Sequence, residues 1–93
     1  MDALQTVPTT SFETLTLFRL RVRAESDPAA LSRVLQPFQH LNIIPRRLVA
    51  ELGSHGDLHI QVDVSGLSEE RIQLIAAKVS QASCILQAHW CRI

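Results

Sequence analysis

The chain has 93 residues, enough for one domain and too few for two. Nine basic residues balance nine acidic ones, which argues against a protein that tracks nucleic-acid phosphates or adheres to an anionic membrane by charge. The composition, 46% hydrophobic and 19% charged, is that of a globular domain. At this size only roughly 60% of the unfolded surface is buried, so association is expected to add stability.

Residues 1–14, "MDALQTVPTTSFET", have neither a basic start nor a long apolar core, so no signal peptide is expected. Their Thr/Ser-rich composition reads as a mobile tail before a domain spanning residues 15–93. No apolar run reaches the roughly 20 residues of a membrane helix. "LTLFRLRVRA" alternates, with Phe18, Leu20, Val22 and Ala24 on one face and Arg19, Arg21 and Arg23 on the other. That is a half-buried strand from Leu15 to Ala24. Asp27 is placed to cap a helix, and Pro28 suits a first helical position. Leu31, Val34, Leu35 and Phe38 then recur at helical spacing. Pro37 lacks a helix donor and crowds the preceding turn, so this helix is expected to kink or end there.

A second strand is expected over Asn42–Leu52, with Pro45 marking it as a sheet edge. "GSHG" reads as a hairpin loop, and "DLHIQVDV" as a third strand with Leu58, Ile60, Val62 and Val64 inward. Gly66 ends that strand. Ser68 caps a second helix, with Glu69 and Glu70 at its positive end and Ile72, Ile75, Ala76 and Val79 on its apolar face. "CILQAHWCRI" is a final, less regular strand. Its Cys84 and Cys91 are seven apart and face opposite ways, so no disulfide joins them; free thiols suit a reducing cytoplasm.

The order is βαββαβ. With right-handed crossovers it predicts an α+β, ferredoxin-like sandwich: a four-stranded antiparallel sheet in the order 4-1-3-2, with both helices on one face. On the open face, the three arginines of the first strand oppose Asp57, His59, Gln61 and Asp63 of the third, a ladder of charge pairs. An RNA-binding sheet of this topology needs exposed aromatics that these strands lack. His59, His89 and Cys91 share this face but are too widely spaced for a shared metal. No recognisable nucleophile–base pair or phosphate loop is present, so neither catalysis nor a cofactor is expected. The turn from Asp27 to Leu31 is the best binding candidate. A helix start can hold a carboxylate, and Asp27 can meet an ammonium group.

The stretches "VRAESDPAALSRVLQPF" and "LNIIPRRL" resemble the ACT domain, a small regulatory module of amino-acid metabolism, over Leu15–Arg92. Within that family, "PAALSRVLQPFQHLNIIPRRLVAEL" is most similar to the short regulatory subunit of acetohydroxyacid synthase (acetolactate synthase). The resemblance implies a non-catalytic, cytoplasmic homodimer joined through its second strands. It implies an amino-acid effector, here branched-chain, between Asp27, Ala29 and Ala30 of one copy and Asn42, Ile43 and Ile44 of the other. The implied partner is the thiamine-diphosphate-dependent catalytic subunit. Alternatives are a stand-alone amino-acid sensor with another target and, from a different class, a nucleic-acid-binding sheet. The family's turn glycine is replaced here by Ala29, which puts a Cβ where the ligand is expected.

Overall fold

The computed structural model describes residues 16–93; the expected tail, residues 1–14, lies outside them. Four strands and two helices alternate as β1 (Leu17–Ala24), α1 (Ala30–His40), β2 (Arg47–Leu52), β3 (Leu58–Ser65), α2 (Glu69–Ser80) and β4 (Ile85–Arg92). The sheet is antiparallel with the spatial order β2-β3-β1-β4. This is the expected ferredoxin-like sandwich.

The alternation of β1 is realised in its burial. Phe18, Leu20, Val22 and Ala24 enter the core, and their β3 partners Val64, Val62 and Ile60 are buried with them. Val34 and Phe38 of α1 and Ile72, Ile75, Ala76 and Val79 of α2 close the core from one side. Each fully buried Phe, Leu, Ile or Val contributes roughly 1.5–3 kcal/mol of transfer free energy. Leu31 and Leu35 pack at its margin.

Three expectations about element ends are corrected. First, α1 begins at Ala30, so Pro28 is not helical and Asp27 is not its cap. The residue before the helix is Ala29, in right-handed conformation (φ −78°), without a side-chain cap. Second, of the expected kink or end at Pro37, the end falls three residues further on, at His40, with Pro37 buried inside the helix. Burial of the ring offsets part of the cost of the missing helix bond.

Third, β2 starts at Arg47, not Asn42. Residues 41–43 instead close α1. Asn42 takes φ +59°. The Ile43 N–H donates to the Phe38 carbonyl (2.8 Å) and the Asn42 N–H to that of Gln39 (3.0 Å), the paired bonds of a Schellman ending. Ile43 packs back on the core, as the motif's hydrophobic residue does. Pro45 therefore precedes the ladder, which opens where the Arg46 N–H donates to the Asp63 carbonyl (2.7 Å). β2 is a sheet edge as expected, but Pro45 is not one of its residues.

The hairpin at Gly53–Gly56 closes through the Gly53 N–H and the Asp57 carbonyl (2.7 Å). Ser68 caps α2 as expected, its hydroxyl accepting from the Arg71 N–H at 3.3 Å. In β4 the register slips beside Arg23/Ala24: Gln87 faces Arg23 but Ile85 faces Ala24, leaving Leu86 as an extra residue. That bulge is why the strand looked irregular. Beyond it Trp90 faces Leu20 on the core side and meets Phe18 edge to face, with ring centres 5.5 Å apart. The Arg92 guanidinium lies 5.9 Å from the Phe18 ring centre and also pairs with Glu69. Both thiols are free: Cys84 is buried in the core and Cys91 half-buried beside Arg19.

Candidate functional site

Two parts of the chain merit consideration, and the first is the turn into α1. The Ala29 N–H donates to Asp27 Oδ1 (2.9 Å), and the Ala30 N–H to the Asp27 carbonyl (2.9 Å). The Asp27 carboxylate thus stabilises the turn itself, as Asx residues do, and does not close the helix. The first turn of α1 carries no acidic residue. Among the described residues, nothing accepts a bond from the Leu31 or Ser32 N–H. Among the described residues the positive end of α1 therefore keeps open donors. By contrast, α2 begins with Ser68, Glu69 and Glu70. Ala29 sits in a region open to any L-residue, so the turn does not need glycine for its backbone.

Asn42, Ile43 and Ile44 lie at the opposite end of α1. Eleven helical residues separate them from the turn, about 16 Å at 1.5 Å per residue. Within one chain the six candidate residues are therefore not brought together. Ile43 is half-buried against the core, whereas Ile44 is 87% exposed.

The second part is the open face of the sheet. In register, Arg19 faces Asp63, Arg21 faces Gln61 and Arg23 faces His59. Arg19 Nε and Nη2 donate to the two Asp63 oxygens at 2.8 and 3.1 Å, a bidentate pair. Arg23 Nη1 donates diagonally to Asp57 Oδ2 at 3.0 Å. The expected ladder is thus present at two rungs and missing at the middle one. Asp63 is only 7% exposed. Its bonds from Arg19 hold the carboxyl below the usual carboxylate range; desolvation opposes this, and the charges of Arg19, Arg47 and Arg21 add to it. The same pairing raises Arg19 above its ordinary value. The signal that the middle rung differs was visible in the sequence: Gln61 stands where its neighbours two residues either way are Asp63 and a histidine.

Among the described residues, no group of three or more His, Cys, Asp or Glu side chains is placed to hold a metal. No helix among them is long and apolar enough to cross a membrane.

The fold is a ferredoxin-like sandwich whose first helix starts without a side-chain cap. The chain belongs to the ACT-like domain family, whose profile matches residues 10–93. Domains of this family are typically regulatory, and membership suggests a regulatory, amino-acid-binding role. No curated protein matches the sequence.

Solved structures share the fold at low identity. The C-terminal domain of the MgtC protein from Mycobacterium tuberculosis superimposes with a TM-score of 0.70 at 14% identity, covering 90% of this chain and 94% of that one. The ACT domain from GTP pyrophosphokinase of Chlorobium tepidum gives 0.68 at 9% identity, covering 81% and 96%. A homoserine dehydrogenase from Thiobacillus denitrificans gives 0.69 at 19% identity, covering 96% of this chain but 20% of the enzyme.

Proposed function

We propose that the chain is a regulatory module that works as a pair of copies and reports a small amino acid to an enzyme. The observation that carries this reading is the uncapped start of α1. Its Leu31 and Ser32 amides and the helix dipole suit a ligand carboxylate. Asp27 uses one oxygen on the Ala29 amide, and its other oxygen suits the ligand's ammonium group. The far wall comes from the second copy. There Asn42 offers an amide able to donate and accept, and Ile44 offers an exposed aliphatic side chain. Pairing through β2 supplies that copy, covering an edge that bears the exposed Leu52. A branched-chain effector fits the aliphatic lining.

The enzyme we propose is acetohydroxyacid synthase, with this chain as its small subunit. The support is the sequence resemblance over residues 28–52. The mechanism is differential affinity: the paired module binds one state of the catalytic subunit better, and the effector shifts that balance. A second reading, an amino-acid sensor serving another enzyme, is favoured by the same fold in a homoserine dehydrogenase and in a GTP pyrophosphokinase.

Affinity capture of the tagged chain from its own host, with mass spectrometry of what co-elutes, decides between them. Recovery of the thiamine-diphosphate-dependent synthase supports the small-subunit reading. Recovery of a different amino-acid enzyme, without the synthase, transfers the reading to that target. Thermal melts with an amino-acid panel test the ligand: saturation at 100 times Kd adds about 2.7 kcal/mol. A panel with no shift would remove the sensing role.

A further inference from the structure

The open face of the sheet carries a groove of about 510 Å³, lined among others by Arg21, Arg23, Glu51, His59, Gln61 and His89. Its size falls in the range of small-molecule sites, roughly 300–1,000 Å³. Arg21 lies on the central strand β1, with Gln61 of β3 beside it on one flank and His89 of β4 on the other. The arginines above and below it are occupied, Arg19 by Asp63 and Arg23 by Asp57. Arg21 has no such partner among the described residues: Gln61 stands opposite it, and the diagonal position that gives Arg23 its Asp57 is His59 for Arg21. A guanidinium has five N–H donors in a planar fork that matches carboxylate and phosphate oxygens. Here that fork is exposed, in a like-charged arginine row whose middle member feels Asp63 only at a distance and makes no direct ion pair among the described residues. Glu51 sits on the edge strand in the row of His59, two strands from β1.

We propose that this groove binds a small molecule bearing an oxyanion, a carboxylate or a phosphate, anchored by Arg21 and flanked by Gln61 and His89. The site is separate from the α1 turn: β1 and β3 alternate, so these side chains face away from the helices. A shallow, open groove predicts modest affinity. A nucleic-acid strand is disfavoured as the occupant because no Phe, Tyr or Trp lines the groove as a broad stacking platform for successive bases.

The test is an NMR titration of the full ¹⁵N-labelled chain at fixed ionic strength with inorganic phosphate, with citrate and with single-stranded RNA. Saturable shifts at Arg21, Gln61 and His89 with phosphate or citrate are expected, and the anion that saturates identifies the chemistry. Gln61→Asp completes the middle rung and should weaken binding about tenfold or more without lowering Tm. Arg21→Gln should abolish it. Arg33→Gln is the control, removing a cation from the cleft between the helices, which Arg33 and Lys78 line; it should change nothing. Linear, unsaturated shifts, shifts centred on Arg33 and Lys78, or equal binding by the Gln61→Asp chain would overturn the proposal. So would RNA binding on this face tighter than that of either anion.

Discussion

Asn42 carries two demands at once. It is a proposed ligand contact, and its φ of +59° ends α1. A left-handed backbone costs most L-residues roughly 1–2 kcal/mol, less for asparagine and nothing for glycine. Asn42→Ala should therefore lower stability by about 1 kcal/mol whatever the ligand does. Asn42→Gly keeps the helix ending and removes only the amide. Equal Tm for Asn42→Gly and wild type, with the amino-acid response gone, is the expected pair of results. A response that survives in Asn42→Gly moves the site elsewhere.

Asp63 gives a second expectation at this scale. Its folded pKa lies below the unfolded value of about 3.9. The linked stability is fully present above that unfolded value and is lost as pH falls through the folded one. Wild-type Tm should thus fall more steeply than that of Asp63→Asn as the pH drops through and below the ordinary carboxylate range. Parallel acid limbs for the two proteins would mean that the Arg19–Asp63 pair is energetically silent.

The helices differ most at their starts. α2 has a Ser68 cap with two acids behind it, and α1 has neither. Ser68→Ala should cost about 1 kcal/mol, as the loss of a side-chain cap does. Asp27→Ala should cost less, because that carboxylate holds an exposed turn and not a helix end. The order is checked by urea unfolding of both variants; a larger loss from Asp27→Ala would show that the turn governs α1.

The same contrast explains what the sequence could and could not show. Ser68-Glu-Glu and the stripe from Ile72 to Val79 are local signals, and α2 was readable from them. In α1, Asp27-Pro28 has the form of a helix start, yet the turn consumes it first. Pro37 carries the strongest local sign of a helix end, and burial overrides it. Attention to a kink or end at Pro37 passed over the ending itself: an asparagine followed by an apolar residue just past His40, which is a Schellman signature. In β4 one extra residue, Leu86, was enough to blur a regular alternation. The open face was legible as a charge ladder because β1 and β3 alternate cleanly. Gln61 breaks that charge pattern visibly in the sequence, but its place opposite Arg21 required the register.

At the scale of the whole molecule, among the described residues one sheet face is covered by helices and the other by none, and β2 forms an outer edge. Leu52 is 70% exposed on that edge. Leu52→Glu should leave the fold intact, since the side chain adds nothing to the core, and should shift a self-associating chain toward monomer. Sedimentation velocity over a concentration series reads this directly. Identical profiles for wild type and variant would remove β2 as the pairing edge, and with it the proposed two-copy ligand site.

The Phe18–Trp90 contact also has an optical consequence. The chain contains one tryptophan and no tyrosine, and that indole is lodged at the edge of the core, on the face opposite the arginine row. Its emission is therefore a clean reporter of global unfolding, needing no label. Because the indole and the groove look in opposite directions, its emission spectrum should stay still during an anion titration and move only when the sandwich opens.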